Sequence, residues 1–164
     1  MSDVNRSYRE ILQNLDLLYD YINIMFFCDE LVPALITLEI EDVNRKHVKG
    51  YFQHKSPYSI GYIPVERINV NPNYFKSEDG WISIATTLLH EMIHQYARSK
   101  GLIDYQDGKH TIEFKRIAET HGMKVIDTPD ATKGYYIANL TDQSKQLIFE
   151  FCKNFELPVI TATS

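Results

Sequence analysis

The chain has 164 residues, 44% hydrophobic and 24% charged, a size and composition typical of one globular domain rather than of a disordered chain. It contains no run of about 18 apolar residues, which argues against a membrane-spanning helix. Its formal net charge of −5, with no run of lysines or arginines, disfavours strong nonspecific binding to nucleic acid, because such domains usually carry a basic face.

The first ten residues are polar and charged and lack the apolar core of a signal peptide, so we expect a cytoplasmic protein. Disorder is expected only over residues 161–164. The two cysteines, Cys28 and Cys152, lie in apolar helical patterns and are predicted to be buried, reduced thiols. Two distant thiols cannot form a four-cysteine zinc ribbon.

A long amphipathic helix is predicted first, over residues 5–28, because apolar side chains recur there at helical spacing. Pro33 breaks the chain after it. The stretch that follows is rich in branched residues and partly alternating, which predicts short strands. These predicted strands cover residues 35–40, 48–53, 60–63 and 67–71. Gly50 is a possible bulge in the second of them.

The clearest helix follows, with Ser77 and Asp79 as candidate caps near its start and Gly101 at its end. A polar loop over residues 104–109 comes next. The remaining predicted elements are a helix over 111–120 ended by Gly122, strands over 123–126 and 135–138, and a helix over 142–154 capped by Thr141. This order predicts an α+β fold, a small, mostly antiparallel sheet packed on helices, in a single domain of residues 1–164.

The central helix carries the sequence His90-Glu91-Met92-Ile93-His94. Residues four apart on a helix point about 40° apart and lie about 6 Å apart along the axis, so both histidines can contact one metal ion. Glu91 lies about 100° from His90 around the helix, where its carboxylate can take a proton from a metal-bound water. This H-E-x-x-H pattern predicts a zinc hydrolase site in a zincin-like fold with a central metal-binding helix.

A catalytic zinc needs a third protein ligand and one open position. The metzincin pattern fails, because Ala97 and Lys100 stand where it has glycine and histidine. The contenders are His110, Glu113, Glu119, His121, Asp104 and Asp107. His110 is favoured, because it follows a glycine-containing loop and opens the next helix, so a turn can bring it back over the first. His121, before Gly122, is interpreted as a cap or surface residue.

The residues from Leu89 to Tyr96, followed by a loop and then His110-Thr111-Ile112-Glu113-Phe114, resemble the SprT-like metallopeptidase family, and Thr111 stands where that pattern usually has glycine. The resemblance covers about residues 10–122, which leaves a C-terminal strand and helix extension over 123–164. It implies a zinc peptidase with His90, His94 and His110 as the zinc ligands and Glu91 as the catalytic base.

The resemblance implies a protein or peptide substrate. Relatives in the family include proteases that act on DNA–protein crosslinks, and many carry a cysteine zinc ribbon or DNA-binding segments, which this acidic chain lacks. Three other functions stay open: a non-enzymatic zinc-stabilised interaction domain, a DNA-associated protease, and a different H-E-x-x-H hydrolase with a glutamate ligand. The sequence does not determine the oligomeric state.

Three further roles are weighed at the sequence level. Glu113 can hold a ligand histidine or a loop in place, or be a solvated carboxylate. The strand over residues 67–71 can receive an extended substrate by strand addition, or be an ordinary core or edge strand. The candidates for stabilising the oxyanion are Tyr135, Tyr136, Tyr96 and His54, and nothing in the sequence selects one of them.

Overall fold

The structure, a computed structural model, describes residues 3–39, 49–72 and 80–155. These residues form an α+β fold of helices and small, mostly antiparallel sheets, as predicted. The helices are α1 (Asp3–Phe27), α2 (Gly80–Lys100), α3 (Ile112–Thr120) and α4 (Asp142–Cys152). The strands are β1 (Leu35–Thr37), β2 (Gly50–Gln53), β3 (Ser59–Ile60), β4 (Ile63–Pro64), β5 (Arg67–Val70), β6 (Tyr105–Gln106), β7 (Lys109–His110), β8 (Met123–Val125) and β9 (Ile137–Leu140).

Helix α1 packs one apolar stripe into the core, where Leu15, Leu18 and Ile22 are fully buried, as its helical spacing predicts. The helix ends at Phe27, because Cys28 and the next residue have positive φ angles of 52° and 60°. This reversal turns the Cys28 side chain outwards. The prediction that Cys28 is buried is therefore wrong, whereas Cys152 is buried; both are free thiols.

The main sheet has the strand order β1–β5–β2, with β5 parallel to β1 and antiparallel to β2. Strand β5 is therefore central, and all four of its residues are buried. Because both of its edges are already paired, β5 cannot receive a substrate by strand addition. The fully buried Asn69 on β5 is hydrogen bonded to Thr37 and Glu39, which fastens the segment after β1 to the sheet.

The role of Gly50 differs from the one predicted. Gly50 is not at a bulge, because β2 pairs with β5 in regular register. It allows a close approach instead: a Cβ atom at Gly50 would lie 2.7 Å from the carbonyl oxygen of Asn69 and 2.9 Å from Cγ2 of Thr87 on α2. Residues 60–63 are not one strand but the turn of a β3–β4 hairpin, in which Gly61 has a φ of 65°.

A second hairpin, β6–β7, lies where a polar loop was predicted. Its two turn residues, Asp107 and Gly108, have φ angles of 53° and 78°. An Asp-Gly pair adopts two successive positive φ angles readily, which makes it a sequence signal for a tight hairpin. This hairpin carries His110 at its end, so the turn determines where that residue lies.

Helix α2 runs through the middle of the fold and contacts the main sheet and the other helices. Its buried side chains include Ile84, Leu88 and Met92. Gly101, with a φ of 68°, ends the helix as predicted, and the N–H group of Leu102 donates to the carbonyl oxygen of Ala97. Such a bond across a left-handed residue satisfies a carbonyl group that the last turn leaves open.

The C-terminal hairpin and helix close over α2 and α3. Strands β8 and β9 pair antiparallel, and Thr111 and Thr141 cap α3 and α4 by accepting hydrogen bonds from the N–H groups of Phe114 and Ser144. Gly122 precedes this hairpin with a φ of 87°. Its carbonyl oxygen accepts a 2.8 Å hydrogen bond from the Ser144 hydroxyl.

Several predictions lie outside the described residues. They are the caps Ser77 and Asp79, the strand residues at 40 and 48, and the disorder of residues 161–164. None of the helices in the described part of the chain has the length and apolar character needed to span a lipid bilayer.

Replacing Gly122 with alanine is expected to lower the free energy of unfolding by about 3 kcal/mol. A left-handed backbone costs an alanine about 1–2 kcal/mol, and forced overpacking costs about 1–3 kcal/mol. The new Cβ would collide with Ser144 and would lie 2.7 Å from Cε1 of Phe26. Gly101→Ala is the matched control, because Gly101 has a similar φ but no atom within 4 Å of the added Cβ. Urea denaturation of both variants measures the difference; equal losses would contradict the packing argument.

Candidate metal centre

Three histidines from two parts of the chain meet beside α2. Adjacent turns of α2 supply His90 and His94, and the β6–β7 hairpin supplies His110. The three ring centroids lie 5.0, 5.1 and 5.2 Å apart, and the candidate ligand nitrogens all lie within 4.8 Å of one another. Two zinc–imidazole bonds placed end to end span about 4 Å. The group is therefore compact enough to surround one metal ion.

Hydrogen bonds orient two of the three imidazoles. The Nδ1 atom of His94 is hydrogen bonded to the carboxylate of Asp104, and Nδ1 of His110 lies 2.9 Å from the carbonyl oxygen of Tyr135. In each ring the partner is an acceptor, so Nδ1 carries the proton and Nε2 keeps its lone pair. A carboxylate or carbonyl group behind a histidine in this way is the usual support of a metal ligand.

The segment of residues 133–135 holds the backbone of His110. The N–H group of His110 donates to the carbonyl oxygen of Lys133. The N–H group of Tyr135 in turn donates to the carbonyl oxygen of His110. Gly134, with a φ of 73°, lies so close that an added Cβ would be 2.9 Å from the nitrogen atom of His110. Sequence reasoning missed this segment, although the turn-forming residues Asp130 and Gly134 indicate a tight turn there.

Phe114 forms the base of the histidine group. The side chain is fully buried, and its ring stacks on that of His110 at a centroid distance of 3.9 Å. It also contacts the rings of His90 and His94, at 5.3 and 5.5 Å. Thr111, where the family pattern has glycine, has a φ of −89°, which any residue adopts, so the threonine does not disturb this arrangement.

The surroundings keep two of the imidazoles neutral. Burial lowers the pKa of His90 well below its usual value, and the neighbouring His94 and His110 lower it further. Burial and then His94 lower the pKa of His110 to about 4. Burial also lowers the pKa of His94, but the hydrogen bond to Asp104 and the charge of Glu91 outweigh it, so that this pKa is raised. Neutral imidazole is the form that binds metals.

Glu91 lies next to the histidines and is buried, with 7% of its surface exposed. Burial raises the pKa of its carboxyl group to about 7, against a lowering effect of His94. Within the described part of the chain, no hydrogen bond or ion pair is made by this carboxylate. A buried carboxylate without a protein partner is costly, which points to a role with a bound molecule.

His90, Glu91 and His110 face an open cleft with a volume of about 880 Å³. Strand β2 borders the cleft at Gly50, and the segment before β9 borders it at Tyr136. The histidine group is therefore accessible to a ligand of peptide size.

The other contenders for the third ligand lie elsewhere or have other roles. Glu113 pairs with Arg116, and Glu119 pairs with Lys115, both along α3. Asp107 is in the hairpin turn. His121 is the C-cap of α3 and stacks on Phe27 at 4.5 Å, in keeping with its interpretation as a cap. Asp104 belongs to the site as the partner of His94 rather than as a member of the ligand group.

The structure also shows which of the four candidates for stabilising the oxyanion lie at the cleft. Only Tyr136 borders the cleft. Tyr135 lies beneath Lys115, Tyr96 packs against Phe27, and His54 is hydrogen bonded to Glu66.

The donor set fits a zinc ion. Three neutral or hydrogen-bonded imidazoles present nitrogen ligands, and zinc prefers nitrogen and sulfur to hard oxygen ligands. In the described part of the chain, the group that could hold a metal contains His90, His94 and His110 and no fourth residue. A site with three protein ligands leaves a coordination position open.

A comparison with known protein families identifies one match. The model of the SprT-like family matches residues 18–134, a range that contains α2, the three histidines and the first two residues, Lys133 and Gly134, of the segment that supports His110. No curated protein and no solved structure matches the chain at a significant level.

Replacing Asp104 with alanine is expected to lower the affinity for zinc by about 10–100-fold, the usual effect of losing a ligand's supporting group. The His94 ring would lose the acceptor that fixes its tautomer. Competition with a chromogenic chelator measures the affinity, and circular dichroism checks the fold. Glu113→Gln is the matched control, because this carboxylate pairs with Arg116 outside the group. Unchanged zinc affinity in Asp104→Ala would show that the hydrogen bond does not support the site.

Proposed function

The chain belongs to the SprT-like family, and on this basis we propose that it is a zinc-dependent peptidase that hydrolyses peptide bonds in protein substrates. One observation carries the proposal: three imidazoles lie within ligand distance of one another, beside a buried carboxylate that faces an open cleft. His90, His94 and His110 would hold the metal, and Glu91 would be the catalytic base.

The same observation argues against a purely structural zinc site. Structural sites normally use four protein ligands, and the described residues provide three. A closed site also has no use for a carboxylate in the cleft, where Glu91 lies without a protein partner. The proposal of a glutamate-ligand hydrolase is not supported either, because Glu113 and Glu119 are engaged in ion pairs along α3.

When bound, zinc supplies Lewis acidity, which lowers the pKa of water and polarises a carbonyl group. The chain supplies the rest. Glu91 accepts the proton of the attacking water and passes it to the nitrogen of the leaving amine. His94 and His110 stay in one orientation through Asp104 and the carbonyl oxygen of Tyr135. Tyr136, which borders the cleft, would donate a hydrogen bond to the substrate.

Strand β2 is the strand along which we expect the substrate to lie. Among the described strands it is one of the two outer strands of the three-stranded sheet, and it borders the cleft at Gly50. The absence of a side chain at Gly50 lets this strand approach α2, so that a Cβ there would be only 3.6 Å from Cγ of Glu91. An extended peptide beside β2 would therefore bring its carbonyl groups close to the catalytic carboxylate.

Glu91→Gln is expected to retain zinc and to lose peptide hydrolysis by about 10²–10⁴-fold, the usual contribution of a general base. The amide has the same shape but cannot accept the proton. Hydrolysis of casein or of a quenched fluorescent peptide library, with zinc measured by mass spectrometry, provides both readouts. Glu119→Gln, which changes an exposed carboxylate of α3, should behave as wild type. Cleavage by Glu91→Gln at the wild-type rate would exclude Glu91 as the base.

His110→Ala is expected to reduce zinc affinity by more than the roughly 100-fold that loss of a supporting group can cost, because it removes a ligand. Zinc content after dialysis against a weak chelator is the measurement. His54→Ala is the control, since His54 is exposed and pairs with Glu66 away from the cleft. Stoichiometric zinc in His110→Ala would move the third ligand to another residue.

A further inference from the structure

The cleft beside the histidine group is bordered by three lysines that come from separate parts of the fold. Lys49 immediately precedes β2, Lys133 lies in the segment that supports His110, and Lys145 is on α4. Glu91 is the only acidic residue among the described residues that border this cleft. The fold therefore gathers positive charge around the site, although these lysines are far apart in the sequence.

Among the described residues, none of these lysines forms an ion pair, although the charge of Lys133 contributes to the lowered pKa of the nearby Asp130. The ion pairs of the described residues engage other cations, such as Arg67, Lys100 and Arg116, and none includes Lys49, Lys133 or Lys145. The chain as a whole has a formal net charge of −5. The charge at the cleft is therefore opposite in sign to the net charge of the protein. Its local electric field acts on molecules that enter the cleft.

A contact restrains one of the three cations at the cleft, and a second is partly buried. The Nζ atom of Lys133 lies 4.1 Å from the centroid of the Tyr136 ring, a cation–π contact that holds the ammonium group over a side chain bordering the site. Lys145 is partly buried in the first turn of α4, where the helix dipole adds to its positive charge. Lys49 is close enough to the histidines for its charge to affect His90.

We propose that the cleft selects protein substrates with aspartate or glutamate side chains next to the scissile bond, which Lys49, Lys133 and Lys145 recognise. This inference rests on the proposed peptidase function and names its substrate class. A peptide that lies beside β2 would pass between Lys49 on one side and Lys133 and Lys145 on the other. Glu91 would face the scissile bond rather than the acidic side chains.

Two observations favour an acidic peptide over a nucleic acid. A long polyanion would extend beyond the three lysines onto a chain with a net charge of −5, whereas an acidic peptide segment can confine its charge to the cleft. One face of the Tyr136 ring is also covered by Lys133, which leaves less of the ring for the base stacking by which single strands usually bind.

The expected preference for acidic peptides is modest, because the charge pairs with the three lysines would be exposed to solvent. Exposed charge pairs contribute modestly and are screened by salt. Three such pairs acting together should give an acidic peptide about a tenfold advantage over a neutral one, or about 1.4 kcal/mol.

The test measures binding separately from hydrolysis. Zinc-loaded Glu91→Gln protein is titrated into fluorescent peptides of one length that carry glutamate, glutamine or lysine at the positions around a shared central pair, and anisotropy reports the dissociation constant. The titration is repeated with Lys49→Gln, Lys133→Gln and Lys145→Gln combined. The matched control combines Lys55→Gln, Lys124→Gln and Lys153→Gln, which remove the same charge from exposed positions outside the cleft.

We expect the glutamate peptide to bind about tenfold more tightly than the glutamine peptide at low salt, and the advantage to shrink to about twofold or less near 0.5 M salt. The cleft triple variant should abolish the preference and the control triple variant should keep it. Equal binding of the three peptides, or equal losses in both triple variants, would overturn the proposal. So would a single-stranded oligonucleotide that binds more tightly and displaces the acidic peptide.

Peptide hydrolysis by the wild-type protein tests the peptidase function separately from the preference for acidic substrates. If it cleaves peptides but shows no preference for acidic ones, the substrate class is wrong and the peptidase function stands. If it cleaves none of the peptides while zinc-loaded protein still binds the acidic one selectively, the peptidase function is wrong and the charge preference of the cleft stands.

Discussion

The site depends on hydrogen bonds that fix the imidazoles from behind. A histidine on a helix can rotate and can carry its proton on either ring nitrogen. Here Asp104 and the carbonyl oxygen of Tyr135 remove that freedom for His94 and His110, so the same nitrogen of each ring is left for a ligand. Both supports come from segments that follow α2 in the chain. The helix therefore supplies spacing, and the later segments supply orientation.

Because orientation comes from segments that follow α2, several elements of the fold contact the same few site residues. The β6–β7 hairpin brings His110 to α2, and the segment around Gly134 fixes the backbone of His110 through two hydrogen bonds. Phe114, buried beneath the rings, excludes water from one side. In a low-dielectric environment such contacts are stronger than they are in water. The C-terminal part of the described chain is thus part of the site rather than an appendage to it.

The sequence predicted the elements whose pattern is local and repetitive. The apolar spacing of α1 and α2, the glycine at the end of α2 and the threonine cap of α4 all have short-range causes. The spacing of His90 and His94 is local in the same sense, since any helix brings residues four apart to one face. For these features, the residues nearby in the sequence were enough to make the prediction.

What the sequence did not reveal depends on contacts between distant segments. The sequence left open whether strand β5 receives substrate or is an ordinary core or edge strand; β1 and β2 pair with both of its edges, and strand order cannot be read from a short alternating run. Asp104 was weighed as a ligand, but its carboxylate is hydrogen bonded to His94. The position of a ligand and that of a ligand's hydrogen-bond partner differ by only a few ångströms, which the sequence does not resolve. The outward position of Cys28 follows from a backbone reversal that an apolar helical pattern conceals.

The distribution of charge is a further feature that the sequence alone does not reveal. The formal charge of −5 is a property of the whole chain, and it says nothing about a cleft lined by three lysines. A site responds to the few charges near it, because screening in salt limits exposed interactions to about 8–10 Å. The approach of a substrate and its final contact are therefore governed by different sets of residues. In a chain with a net charge of −5, three lysines at a cleft would favour an acidic segment only where that segment enters the cleft.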